Sequence, residues 1–200
     1  MHVRISTVEF DVPNTPAGID EMFARIDETM RDFQVYFSHL KVNDEDLPDS
    51  SRERLVEMLD DIRAVEAVFQ TAEQYLLQVV GIMEHFIEKV VPVMQTVAEE
   101  FYSHYDDDTW ERFNIIVTVF TEIVQTIRGL VSNADFQGKV SRFEELGEGI
   151  VHELTVLNEA IAGNDMIHAA DILLYELTPF AENLLAALLE LSRRERNDIN

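Results

Sequence analysis

Asp165, His168 and Asp171 stand three residues apart, the nearest this sequence comes to the Glu-x-x-His spacing with which helical bundles hold a pair of metal ions. A di-iron carboxylate site needs that motif on two helices. The residues three before His39, His85, His104 and His152 are Tyr36, Ile82, Phe101 and Gly149, so the motif is missing there too. Asp165 reads as a helix N-cap and His168 lies off the neighbouring apolar stripe, which leaves no metal set. Glu84-His85-Glu88 and Glu148-His152-Glu153 read as exposed helix charges. Glu99, Glu100, His104 and Asp106 to Asp108 form the densest oxygen-rich group. A divalent cation held there would make a metal-dependent hydrolase, one alternative for function, although capping of the next helix accounts for the aspartates. No Gly-x-Ser-x-Gly, phosphate-cradling glycine loop or Gly-x-Gly-x-x-Gly occurs. With no cysteine there are no thiol nucleophiles, thiolate metal sites or disulfides. The expectation is a protein that is not an enzyme and carries no cofactor and no metal.

The elements that carry these residues are helices from Thr71 onward. Thr71 and Gln74 form a capping box, and Tyr75, Leu76, Val79, Val80, Met83, Phe86, Ile87, Val90, Met94, Val97, Ala98 and Phe101 follow at steps of three and four. Pro92 interrupts this helix and predicts a kink. A second helix, with Asp108 as N-cap and Glu111 at N3, carries Phe113, Ile116, Val117, Phe120, Ile123, Val124, Ile127, Leu130 and Val131, widened by Ile115 and Val119. So broad a face places it centrally or at an interface. The third runs on from Phe136 through Val140, Phe143, Gly147, Ile150, Leu154, Leu157 and Ile161, with Gly147 on the seam where a neighbour can approach closely. The fourth holds Met166, Ala170, Leu173, Leu177, Phe180, Leu184, Leu188 and Leu191, with Pro179 predicting a second kink. Short connections favour antiparallel neighbours.

The first seventy residues have another period. Residues 3 to 12 read as one imperfect strand, stopped by Pro13-Asn14-Thr15-Pro16; a helix follows with Ile19, Met22, Phe23, Ile26, Met30 and Phe33 on one side. A short strand spans Phe37 to Val42, and Pro48-Asp49-Ser50-Ser51 caps a second helix. Residues 64–70 fit either a strand or a prolongation of that helix, with the strand preferred. The expected fold is predominantly α: an antiparallel four-helix bundle over 71–200 with a small N-terminal α/β unit over 1–70 packed on it, the alternative being all-α.

The chain carries 39 acids against 15 bases, a net charge of −24, shared between residues 1–70 (16 acids, 7 bases) and the remainder (23 and 8). Both parts repel phosphate, so nucleic acid and anionic membrane are excluded as partners. An N-terminus without an apolar h-region, and no stretch approaching about 18 apolar residues, point to the cytoplasm.

Val42-Asn43-Asp44-Glu45-Asp46-Leu47 and Asp171-Ile172-Leu173-Leu174-Tyr175-Glu176-Leu177-Thr178-Pro179 together resemble segments of a group of uncharacterised acidic helical proteins of Gram-positive bacteria. The resemblance implies an N-terminal α/β segment, a helical remainder and no assigned activity. Broad apolar helices without chemistry lead to a non-catalytic protein-interaction module, an adaptor, chaperone-like or regulatory protein. Its partner would be another protein or a second copy in a homodimer. Tyr102, Tyr105, Trp110, Ile115 and Val119 are the candidate interface residues. For Tyr102, Tyr105 and Trp110 the competing assignment is closure of the core's end. A further alternative is a small-molecule-binding bundle, with the kinks at Pro92 and Pro179 freeing the carbonyls of Glu88 and Tyr175 and opening a pocket near Tyr175.

Overall fold

The computed structural model describes residues 1–47 and 49–198, with side chains up to Arg196. Pro48, first of the expected capping residues of the second helix, lies outside the described residues. The chain divides into two compact units, Met1–Tyr75 and Leu76–Asn200. The fold is mainly α, with an N-terminal α/β unit.

In the first unit, the stretch expected as one strand is two. Ser6 adopts φ 55, so the chain reverses at Ser6-Thr7 and β1 (His2–Ile5) pairs antiparallel with β2 (Val8–Asp11). This reversal explains the broken alternation: Val3 and Ile5 are buried before the turn, and Val12 after it. Thr15 caps α1 (Pro16–Phe33), accepting from the Gly18 amide, and Pro16 opens it, where a missing N–H costs nothing. Ile19, Met22 and Ile26 are the buried stripe of α1, while Phe33 is exposed. Asn43 and Asp44, both at positive φ, turn β3 (Tyr36–Val42) into β4 (Glu45–Leu47). Ser51 caps the short α2 (Arg52–Glu57), and residues 64–70 form the strand β5 (Ala64–Gln70). The sheet order is β2-β1-β5-β3-β4, with β1 and β5 parallel and every other pair antiparallel. Asn43 pins the entry to β5, accepting from the amides of Arg63 and Ala64 and donating to the Asp61 carbonyl. Alternate residues Val3, Ile5, Leu40, Val42, Val65 and Ala67 join Ile19, Met22, Ile26 and Leu55 in one core. The other face is charged, with Arg4 on Glu66 at 2.8 Å and His39 on Asp46 at 3.1 Å.

The second unit is the bundle. The capping box at Thr71 and Gln74 forms as read, and α3 (Ala72–Ser103) runs through Pro92 as one continuous helix. α4 (Asp107–Ser132) starts two residues earlier than expected. Asp106, not Asp108, is the N-cap, because the buried Thr109 completes a reciprocal box with it: the Thr109 amide donates to Asp106 and the Asp106 amide to the Thr109 hydroxyl. α5 (Ser141–Ala162) starts later than expected, after a 3-10 turn at Ala134–Phe136 and Gly138 at φ 83. Phe136 and Val140 still reach the core from that connection.

The last helix is in three pieces, α6 (Met166–Asp171), a π segment (Ile172–Leu177) and α7 (Thr178–Asp198). Pro179 is the cause. It has no amide for the Tyr175 carbonyl and its ring crowds that carbonyl, so the backbone widens instead of holding α geometry. The Leu173 carbonyl takes up both the Thr178 amide and, at 2.7 Å, the buried Thr178 hydroxyl. Of the two expected distortions, only this one changes the helix type.

Side-chain pairs fix the helix directions. Glu100 near the end of α3 holds Arg112 near the start of α4; Gly147 early in α5 faces Ile127 late in α4. Arg142 at the start of α5 reaches Glu190 late in α7, while Glu84 early in α3 accepts from Ser192. Each neighbour is therefore antiparallel to the last. α5 is flanked by two helices and uses a different glycine toward each. A Cβ on Gly147 would come within 3.3 Å of Ile127, and one on Gly149, which the sequence pattern did not single out, within 2.3 Å of the Phe180 ring of α7. Two helices, Asp107–Ser132 and Met166–Arg196, are long and apolar enough by length and composition to cross a membrane, contrary to the hydropathy expectation. Of their most apolar windows, 33% and 44% is buried inside the bundle.

Candidate interaction surface

The five candidate interface residues are divided by the structure. Tyr105 and Trp110 meet edge to face at 6.0 Å and both pack on the buried Phe101, which also touches Phe113. These rings close the end of the α3–α4 core, with Trp110 half-buried and Tyr105 still 37% exposed. Ile115 and Val119 lie one turn apart on α4, Ile115 exposed and Val119 half-buried. Tyr102 turns to a different helix.

That neighbour is α6. Asp165 caps it, accepting from the His168 amide at 3.0 Å, which spends the first member of the Asp165, His168, Asp171 series on the backbone. Asp171, the last member, accepts a 2.5 Å hydrogen bond from the Tyr102 hydroxyl at the end of α3. Around this bond lies an exposed aromatic and aliphatic surface: Ile167, one turn before Asp171, is 64% exposed, Tyr175 on the widened segment 65%, and Tyr102 42%. π segments recur at functional sites because the widened turn re-aims side chains. Here the widened turn carries Tyr175, whose side chain is turned to solvent and not into an internal space.

Hydrogen bonding to Asp171 pushes the Tyr102 phenol up to about 12, with desolvation, the charge of Asp171 and the nearby Tyr175 acting the same way. The protonated phenol is the form that fits, so its contribution to stability is present below the ordinary tyrosine range near 10 and is lost as pH rises toward 12. In an alkaline absorbance titration Tyr102 should ionise about two pH units above the ordinary tyrosine range. Asp171→Ala should return it to the ordinary range; a high-pH phenol that survives the substitution would refute the assignment.

Two members of the oxygen-rich group at the α3–α4 connection, Glu100 and Asp106, have partners of their own. One terminal nitrogen of Arg112 lies 2.7 Å from both oxygens of Glu100, and this bond, helped by the Thr109 hydroxyl, holds the Glu100 carboxyl below its usual range. The Thr109 amide does the same for Asp106. Among the described residues no three His, Asp or Glu side chains are grouped to hold a metal ion.

Asp171 is the residue that sequence reasoning left out of the surface. Its pairing with Tyr102 spans 69 positions, and the only local signal was Ile167 and Tyr175 standing outside the apolar stripe on either side of it. Residues 78–187, just over half of the chain and including all four members of this surface, match the model of a family described as a domain of unknown function (DUF8042). No curated protein and no solved structure matches the chain.

Proposed function

The chain belongs to the DUF8042 family, and on that premise we propose that it is a non-catalytic protein-interaction module whose docking surface is centred on Asp171. The observation that carries this reading is the exposed Tyr102–Asp171 hydrogen bond, which joins two helices, with exposed Ile167 and Tyr175 four residues to either side of Asp171. The net charge of −24 sets the partner's sign. A basic segment of another protein fits: its aliphatic stems lie on Ile167, a lysine or arginine head sits over the tyrosine rings, and the second oxygen of Asp171 receives it. A cation over an aromatic face contributes about 0.5–2 kcal/mol. The acidic field accelerates encounter and makes binding salt-dependent.

The test uses the photo-crosslinking amino acid p-benzoylphenylalanine in place of Tyr175 in the native cell. A discrete adduct with a basic protein is expected, weakened at least about tenfold by Asp171→Arg, or about 1.4 kcal/mol. No adduct at position 175, or the same adducts from exposed Glu182, would refute the surface. An adduct with a second copy of the chain would replace the basic partner by self-association.

A further inference from the structure

The groove between α4 and α5 has the opposite chemistry, and we propose that it binds the extended C-terminal end of a peptide. Two adjoining hollows, of about 350 and 310 Å³, share Val124 and Arg128. Among the described residues nine of the fifteen Lys and Arg side chains lie on carboxylates, and Arg128 is one of those that do not. It is the one charge on the first hollow. Beside it, the side-chain amides of Gln125 and Asn158 make no hydrogen bond among the described residues. The hydroxyls of Thr121 and Thr155 donate to the carbonyls of Val117 and Val151, at 2.7 and 2.8 Å, so toward the hollow they present lone pairs. Val124, Val151 and Leu154 supply the apolar floor.

This combination selects among ligands. A guanidinium wants a carboxylate, in a two-point geometry. Free amides and hydroxyl acceptors match alternating N–H and C=O groups, which an acyl chain lacks and a peptide backbone has. The floor takes one apolar side chain. The second hollow bears Glu144 and Glu148, so the carboxylate stays at Arg128 and the chain runs toward Thr121 and Asn158. From Arg128 to Thr121 is about 10 Å along the helix, the span of about three extended residues. The overall negative field repels a bare anion, so a peptide whose terminal carboxylate is balanced by a basic residue is favoured over a free fatty acid.

The test titrates the ¹⁵N-labelled protein with acetyl-Lys-Ala-Leu bearing a free carboxylate, the same peptide as its C-terminal amide, and decanoate. Saturable shifts of the Gln125 and Asn158 side-chain amides and the Arg128 Nε signal are expected with the free acid. Affinity should fall at least tenfold for the amide and for Arg128→Gln, and severalfold for Asn158→Ala. These residues are at the surface, and an otherwise unchanged spectrum will show that the variants fold. Equal binding of acid and amide, shifts confined to other helices, no shifts at all, or tighter binding of decanoate would each overturn the proposal.

Discussion

Gly18→Ala is expected to unseat the first turn of α1 and to strip protection from the sheet it covers. A Cβ at this position would lie 2.1 Å from the Pro13 carbonyl oxygen, and the obstacle is backbone. Pro13 cannot withdraw. On one side Val12 is bonded to Met1 through both its amide and its carbonyl; on the other, the Asn14 side chain donates to the carbonyls of Leu59 and Ile62. Gly18 also gives its amide to the Thr15 cap, so the helix start cannot slide without losing that bond. Overpacking a core costs about 1–3 kcal/mol where side chains can give, and a clamped backbone belongs at or above the upper end. Hydrogen exchange should show faster exchange across β1, β3 and β5 with the amides of α4 unchanged. The same substitution at Gly129, where an added Cβ meets nothing within 4 Å, should stabilise by about 1 kcal/mol through helix propensity. Unaltered exchange in the sheet of Gly18→Ala would show that the Pro13 turn is free to move.

The contrast explains which parts of the fold could be read from one sequence. Apolar residues at steps of three and four predict α3, α4, α5 and the last helix because packing in a bundle demands that period. The Ser6-Thr7 reversal was hidden because it holds neither glycine nor asparagine, the usual residues for positive φ, yet Ser6 adopts it. The N-cap of α4 was misplaced among three consecutive aspartates, and what selects Asp106 is Thr109, whose hydroxyl returns the bond. Gly149 was missed for a geometric reason. A stripe marks one seam, and α5 has two, one toward Ile127 and one toward Phe180.

The candidate surface was less legible still. Tyr102 could be named because an aromatic residue in the last turn of a helix is conspicuous, but no periodicity assigns it Asp171 instead of the neighbouring rings. Tyr105 and Trp110, conspicuous as aromatic residues at the α3–α4 connection, pack against Phe101 instead, edge-on and tilted. Pro179 announced a distortion without its form: the segment widens, and the Leu173 carbonyl accepts from both the amide and the buried hydroxyl of Thr178, a pairing that no sequence period marks.

α4 brings the two kinds of apolar position onto one helix, and a pair of alanine substitutions separates them. Phe120 is fully buried, among the largest such side chains in the protein, with Ile116, Ile123, Val124 and Ile127 buried on the same helix. Phe120→Ala removes the ring and leaves a cavity that neighbouring helices cannot close, a loss of about 3–5 kcal/mol. For a chain of this size that lowers Tm by on the order of 10 °C. Ile115, five residues earlier, is 56% exposed, so Ile115→Ala should change stability by less than about 0.5 kcal/mol. Thermal unfolding followed by circular dichroism reads both. A breadth of apolar face that suggested either a central or an interface helix then resolves by position: the loss at Phe120 belongs to the core, and a loss of comparable size at Ile115 would mean that this side of α4 is covered in solution by another chain.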